Sequence, residues 1–124
     1  MPILLGNAFP LSLIRRPVRI EPRPLADLQA EAARRGFVSF WGHANTLAAA
    51  GKVLGFDPTP ATARPALTLN DDLLPTLDGA IFDEVWVLSP DYTDGFRPKI
   101  GEEVAAVQIS GWQVLRVEFI KVGT

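Results

Sequence analysis

The sequence predicts a single α/β domain of the α+β class, in which a mixed sheet of roughly five strands is flanked by helices. Length is the first indication, because 124 residues can enclose one hydrophobic core. Composition is the second, since 48% hydrophobic and 21% charged residues are typical of a globular domain. The third is the order of elements, in which short apolar runs alternate with two stretches of helical periodicity.

The first 36 residues contain two predicted strands and one predicted helix. Residues 2–7 form an apolar strand, 10–14 a turn or a single helical turn, and 17–21 an alternating strand that Pro22 ends. Residues 24–35 then form a helix, because Leu25, Leu28 and Ala32 recur at helical spacing and Gly36 can cap the end.

A dense apolar strand over 37–41 breaks at Gly42 into a second helix, which runs to Leu54 with Gly55 as its cap. Residues 57–65 form a proline-rich loop, 66–69 a strand and 70–72 a turn, whereas 73–78 show no assignable pattern. We further expect a central strand over 80–88, a polar loop over 89–98, a helix over 100–110 stopped by Gly111, and a last strand over 112–122.

Composition also limits the partners and the compartment. The chain has no cysteine, which excludes disulfides, thiolate metal sites and a cysteine nucleophile, and is consistent with a reducing compartment. No apolar stretch is long enough for a signal segment or a membrane span, so we expect a cytoplasmic protein without a membrane partner. The net charge of −2 argues against duplex nucleic acid as a ligand.

The strand-to-helix junction at Gly42-His43 is the leading candidate site. Amides at a helix start lack helical partners and face a partial positive charge, so they bind anions. Gly42 permits a sharp turn, Asn45 and Thr46 supply short polar side chains, and His43 has a pKa suited to proton transfer. The alternative is that Asn45 or Thr46 merely caps the helix and His43 is a surface residue.

Other positions allow two interpretations each. Arg64 could bind a phosphate or be a solvated loop arginine, and Asp91 or Asp94 could orient a ligand hydroxyl or simply form a turn. We expect the three tryptophans to be core residues and the two arginine pairs to be solvated; these are Trp41, Trp86 and Trp112, with Arg15-Arg16 and Arg34-Arg35. A metal site is disfavoured, because one histidine without cysteines leaves only carboxylates as further ligands.

Two motifs resemble a family of small proteins of archaeal viruses and phages. The segment Leu5-Gly6-Asn7-Ala8-Phe9-Pro10-Leu11-Ser12-Leu13-Ile14 is similar to its amino-terminal motif, and Gly42-His43-Ala44-Asn45-Thr46 resembles its helix-opening motif. Arg64 and the acidic turn Leu69-Asn70-Asp71-Asp72 fit the same spacing. The family includes ring nucleases, the type III anti-CRISPR proteins that cleave cyclic tetra-adenylate.

The resemblance implies a homodimer that binds a cyclic oligoadenylate across its interface and cleaves it without metal or cofactor. A ribose 2′-hydroxyl attacks the adjacent phosphate, leaving linear di-adenylate with a 2′,3′-cyclic phosphate. His43 would protonate the departing 5′-oxygen and Arg64 would bind the phosphate. The remaining pocket residues would be Asn7, Gly42, Asn45 and Thr46.

The chain departs from the family in the segment after residue 90. Asp91-Tyr92-Thr93-Asp94-Gly95 replaces a stretch that carries an arginine and a catalytic glutamate. Asp94 keeps a carboxylate before the glycine, Asp91 occupies the arginine position, and Arg97 could supply a cation from the other side of the turn. The alternative function is therefore a protein of the same fold that binds a cyclic nucleotide or nucleic acid without cleaving it.

Overall fold

Five strands form one mixed sheet, which confirms the predicted fold class. The computed structural model describes residues 2–42, 44–61, 65–93 and 108–120. The sheet consists of β1 (Ile3–Gly6), β2 (Val18–Arg23), β3 (Phe37–Ser39), β7 (Glu84–Tyr92) and β8 (Ile109–Phe119). Its strand order is β2-β8-β7-β1-β3, with β1 parallel to both β3 and β7 and the other pairs antiparallel. Three short strands, β4 (Thr68–Leu69), β5 (Pro75–Leu77) and β6 (Ala80–Ile81), form a separate small sheet.

Two helices contribute to the core on one face of the sheet, and both were predicted. These are α1 (Leu25–Arg35) and α2 (Ala44–Leu54). Each is followed by a glycine in the left-handed region, Gly36 with φ +75° and Gly55 with φ +81°, as expected for helix ends. A short 3-10 turn, η1 (Leu11–Leu13), follows β1 where a turn was predicted.

The core has two layers because side chains alternate across each strand. Ile3 and Leu5 of β1 pack with Leu28, Leu54 and Trp86 on the side of the helices. Leu4, between them, packs on the other side in a second cluster that includes Phe40, Phe82, Val85 and Phe119. Trp41 and Trp86 are buried, and Trp112 packs against the first cluster, which confirms the prediction that the tryptophans are core residues.

Several predicted boundaries were wrong in the first half of the chain. Pro22 does not end β2, which continues to Arg23; β2 is an edge strand, where a missing N–H costs no hydrogen bond if it faces outward. The strand predicted over 37–41 ends at Ser39. Residues 73–78 contain β5, and the single strand predicted over 80–88 is divided into β6 and β7.

The largest correction concerns the hairpin of β7 and β8. Residues 89–92 were predicted as loop and Gly111 as a helix stop, yet Ser89 pairs with Gln113 and Asp91 with Gly111 in one antiparallel ladder. Long-range pairing outweighed the turn-forming composition of these residues. Residues 94–98 of the predicted loop, 100–107 of the predicted helix and 121–122 of the last predicted strand lie outside the described residues.

The predicted arginine pairs are only partly solvated. Arg34 is exposed, but Arg35 forms an ion pair with the buried Glu84, and Arg16 donates to the carbonyl oxygens of Asp72 and Ile120. Each of these contacts joins segments far apart in sequence, which is why local composition did not indicate them. Within the described ranges, no helix is both long and apolar enough to cross a membrane.

Candidate functional site

The candidate site lies where parallel strands end at the same edge of the sheet. Asn7 follows β1 and Gly42 lies three residues beyond β3, and the Asn7 Oδ1 accepts a hydrogen bond from the Gly42 N–H at 2.8 Å. Ser89 of the third parallel strand, β7, donates from its hydroxyl to the Asn7 carbonyl oxygen at 3.2 Å. Crevices outside the carboxyl ends of parallel strands are the usual ligand sites of open α/β sheets.

Asn7 is held in a defined orientation by this contact. Its Oδ1 is engaged by Gly42, so the Nδ2 group, with two N–H donors, forms the other end of the same amide. Within the described part of the chain, no acceptor takes these donors. The Gly42 N–H is committed to Asn7, so an anion at this junction would meet the Asn7 Nδ2 rather than the Gly42 amide.

Gly6 allows the chain after β3 to approach β1 closely. A Cβ atom added at Gly6 would lie less than 3.0 Å from three carbon atoms of the Phe40 ring, closer than real contacts allow. Phe40 is also in edge-to-face contact with Phe9, with ring centroids 6.2 Å apart, and Phe9 contacts Phe119 at 6.0 Å. The glycine therefore lets Phe40 fill the space beneath the Asn7–Gly42 contact.

A cleft of about 440 Å³ opens beside this contact. Among the described residues that line the cleft, Asn7 and Gly42 form the polar end and the others are apolar. The apolar walls are formed chiefly by Phe9, Pro10, Leu13, Phe40, Pro65 and Leu67. A volume of this size, with two polar residues in its described lining, is typical of a small-molecule site.

The start of α2 is anchored by Thr46 and Trp41. Thr46 is buried, and its hydroxyl accepts a hydrogen bond from the Trp41 indole N–H at 3.2 Å. The Ser39 hydroxyl accepts from the Trp41 backbone N–H and donates to the Pro58 carbonyl oxygen. These contacts fix the turn that precedes α2, and they place the Thr46 hydroxyl in the protein interior.

The structure brings together some of the sequence-predicted site residues. Asn7 and Gly42 are in direct contact, and Thr46 anchors the same junction. Asn45 lies in the first turn of α2, and its side chain falls outside the described part. The other predicted site residues, His43, Arg64, Asp94 and Arg97, lie outside the described residues.

Asp91 lies in a strand and not in the predicted turn. Its Oδ1 accepts a hydrogen bond from the Gln113 side chain at 3.0 Å, and its backbone oxygen accepts one from the Ser110 hydroxyl. A register shift between Asp91 and Tyr92 ends the regular part of the ladder. The Asp91 carboxylate is thus held by β8.

A cluster of charged residues lies at the opposite, amino-terminal end of β7, and the sequence did not indicate it. Glu84 is 7% exposed and accepts hydrogen bonds from Arg116 at 2.8 Å, from Arg35 at 2.5 Å and from the Trp86 indole at 2.7 Å. Arg23 lies over the Trp86 ring, 5.7 Å from its centroid. We call these five residues, Arg23, Arg35, Glu84, Trp86 and Arg116, the Glu84 cluster.

The pKa of Glu84 shows that hydrogen bonds and charge outweigh burial in this cluster. Burial alone would raise the pKa of the Glu84 carboxyl, but hydrogen bonds from Arg116, Arg35 and Trp86, with the charge of Arg116, lower it to about 2. The hydrogen bond to Glu84 correspondingly raises the pKa of Arg116. Arg116 also pairs with Glu21 and Glu118, and Arg23 pairs with Glu21 and Asp27.

The chain is thus an α+β protein with a polar contact and an apolar cleft at the carboxyl end of parallel strands. Among the described residues, no group of three His, Cys, Asp or Glu could hold a metal ion. No family model and no curated protein matches the sequence.

A solved structure has the same fold. The chain is similar to B116 of Sulfolobus turreted icosahedral virus, with a TM-score of 0.62, covering 95% of this chain and 99% of that one. The sequence identity is 14%, so the likeness extends to the fold. An archaeal-virus protein therefore shares nearly the whole architecture.

Proposed function

We propose that this protein is a metal-independent ring nuclease. Its substrate in this proposal is a cyclic oligoadenylate, and cyclic tetra-adenylate is the preferred ring. The product is linear di-adenylate ending in a 2′,3′-cyclic phosphate. Removal of the cyclic messenger damps type III CRISPR signalling. The observation that supports this most is the Asn7–Gly42 hydrogen bond of 2.8 Å. It joins the two motifs on which the family resemblance rests, at the rim of a cleft and immediately before His43.

The reaction needs a proton donor, a proton acceptor and groups that bind the phosphate. The ribose 2′-oxygen forms a bond to phosphorus while the bond from phosphorus to the 5′-oxygen breaks, and His43 gives its proton to that oxygen. Asp94 is the carboxylate available to take the 2′-hydroxyl proton. Arg64 and Arg97 bind the phosphate oxygens, for which a guanidinium is well suited.

Asn7 adds a neutral donor to this site. Because its Oδ1 is engaged by Gly42, the Nδ2 is directed away from that bond and can donate to a phosphate oxygen at the cleft. Asn45 is expected to contribute a second short amide from the first turn of α2. Thr46 contributes indirectly, by holding Trp41, which lies two residues before His43 in the sequence.

The active form in this proposal is a homodimer in the cytoplasm of the cell where the messenger is made. Two molecules of di-adenylate arise from one cyclic tetra-adenylate only if two opposite phosphodiester bonds are cleaved. A two-fold dimer supplies one His43 for each of them, with the ring lying across the interface. A monomer in solution that binds one ring per chain would contradict this part of the proposal.

A second candidate function is binding of the cyclic nucleotide without cleavage. The observation that favours it is Asp91, whose carboxylate is held by Gln113 where the family has an arginine. The absence of that cation would lower the stabilisation of the phosphorane-like transition state more than the affinity for the ring.

The two candidates are separated by a panel of ligands. Cyclic tri-, tetra- and hexa-adenylate are each titrated by calorimetry and incubated with the protein, and the products are separated by chromatography. Turnover of one ring size supports the nuclease, whereas tight binding without product supports the second candidate. If the protein neither binds nor cleaves any of the three rings, both candidate functions are refuted.

A further inference from the structure

We propose that the cleft beside the Asn7–Gly42 contact binds one nucleobase of the ligand, which lies against the ring-bearing walls of the cleft and also contacts the side chains of Leu13 and Leu67. This inference rests on the proposed function, because it assigns the part of the ligand that lies next to the phosphate. The cleft contains residues of both motifs and extends beyond them to Phe40, Pro65 and Leu67.

The shape of the cleft suits a flat aromatic group. The cleft measures about 440 Å³, and ring-bearing residues form four of its walls: Phe9, Pro10, Phe40 and Pro65. Rings present flat faces and edges, against which a planar ligand buries more surface than a flexible chain does. A phosphate alone would gain nothing from these walls, because an anion loses its hydration without receiving hydrogen bonds there.

The cleft is preformed. Phe40 is 9% exposed, and it is fixed between Gly6, which leaves room for its ring, and the edge-to-face contact with Phe9. Phe9 is in turn held by the buried Phe119. A base can therefore enter without first ordering the floor of the site, which reduces the entropic cost of binding.

The polar end of the cleft determines how a bound nucleotide is oriented. Asn7 and Gly42 lie at that end, so the sugar and phosphate of a bound nucleotide are directed toward the Asn7 Nδ2, while the base lies among the apolar walls. Leu13 lies in η1, a turn that buries none of its own side chains. Truncation of Leu13 therefore changes the cleft while leaving the core intact.

The neighbouring leucine in the same turn provides a matched control. Leu11 is 80% exposed and does not line the cleft, whereas Leu13 does. Calorimetry with adenosine 5′-monophosphate and with ribose 5-phosphate, which has the same sugar and phosphate but no base, isolates the contribution of the base. Octyl phosphate tests whether the cleft accepts a flexible chain instead.

We expect adenosine 5′-monophosphate to bind at least about tenfold more tightly than ribose 5-phosphate and octyl phosphate. Leu13→Ala should weaken binding of the nucleotide by about three- to tenfold and leave ribose 5-phosphate unchanged, and Leu11→Ala should alter neither. Leu67→Ala should reproduce the effect of Leu13→Ala. Equal affinities for the three ligands, no binding of the nucleotide, or equal effects of the two leucine variants would overturn the inference.

The experiment is independent of catalysis. A protein that prefers the nucleotide through Leu13 but cleaves no ring would refute the nuclease and retain the base site. A protein that cleaves cyclic tetra-adenylate but shows no preference for the base would refute this inference alone.

Discussion

The two ends of the parallel strands differ in how their polar groups are used. At the amino end of β7, Glu84 accepts hydrogen bonds from Arg35, Arg116 and Trp86, and the neighbouring arginines have carboxylate partners. At the carboxyl ends, Asn7 and Gly42 form one neutral hydrogen bond beside a partly empty, apolar cleft. Among the described residues, the first end holds its charges in ion pairs, whereas the second offers the uncharged Nδ2 donors of Asn7 and space for a ligand.

This difference indicates which end of the strands an anion would bind. Four arginines line a small depression at the Glu84 cluster, so a count of basic residues alone would place a phosphate there. Their carboxylate partners already satisfy them, however, and a phosphate would have to displace Glu84 or Glu31. Among the described residues, the carboxyl-terminal end has fewer charges, but the Asn7 Nδ2 donors have no described acceptor.

The largest expected effect is at His43. In the proposed reaction His43→Ala should slow cleavage of cyclic tetra-adenylate by about 10²- to 10⁴-fold, because general acid catalysis of the leaving 5′-oxygen is lost. Affinity for the ring should change little, since the phosphate is held by other groups. Single-turnover rates and calorimetry measure the two quantities separately, and undiminished cleavage by the variant would refute the assignment.

The amino-terminal end should determine acid stability. The pKa of Glu84 is about 2 in the folded protein and 4.5 ordinarily, so its contribution to the free energy of unfolding is complete above pH 4.5 and is lost as pH falls toward 2. The shift corresponds to about 3 kcal/mol. Urea unfolding at several pH values should show this loss in the wild type and not in Glu84→Gln.

Glu31→Gln is the matched control for that experiment. Glu31 also pairs with Arg35, and with Arg34, but it lies nearer the surface than Glu84. Its removal should leave the slope of stability between pH 4.5 and 2 intact. Equal behaviour of the two glutamine variants would contradict the special role of Glu84.

Two glycines at the carboxyl-terminal end should respond differently to alanine. Gly6→Ala forces the Phe40 ring away and should cost about 1–3 kcal/mol of unfolding free energy, whereas the nearest described atom to a Cβ at Gly42 is the Asn7 Oδ1 at 3.8 Å. Gly42→Ala should therefore change stability by less than about 0.5 kcal/mol. Thermal or urea unfolding compares them, and equal losses would contradict the close packing at Gly6.

Asn7 tests the donor that the carboxyl-terminal end offers to a ligand. Asn7→Asp keeps an oxygen to accept from Gly42 but replaces the N–H donors by a carboxylate, so affinity for cyclic tetra-adenylate should fall by about tenfold or more while the fold is retained. Asn70→Asp is the control, because the Asn70 Oδ1 also accepts backbone N–H groups, from Asp72 and Leu74, within a turn. Equal affinities of the two aspartate variants would remove Asn7 from the binding site.

The fold class and both helices could be predicted because their signals are local. Apolar spacing marks α1, and Gly36 and Gly55 mark the ends of the helices. The hairpin of β7 and β8 could not be predicted, because the pairing of Asp91 with Gly111 joins residues that locally favour turns. Long-range contacts, rather than intrinsic preference, determine strands of this kind.

The candidate site was predicted in parts but not as a unit. The sequence indicated Asn7 and Gly42 separately, and only the fold shows that they are in contact across 35 residues. Phe40 and Gly6 had no signal beyond an apolar run and a strand end. Glu84 was hidden because it stands within a run of strand residues, and its partners Arg35 and Arg116 come from other elements.

Metal-independent cleavage is tested most directly by identifying the product that forms from cyclic tetra-adenylate in excess EDTA. The proposal predicts linear di-adenylate with a 2′,3′-cyclic phosphate, formed at the same rate with or without the chelator, because the nucleophile is the ribose 2′-hydroxyl and the proton donor is His43. Mass spectrometry of the chromatographed product identifies it. Cleavage abolished by EDTA, a product without the cyclic phosphate, or an intact ring would contradict the proposal.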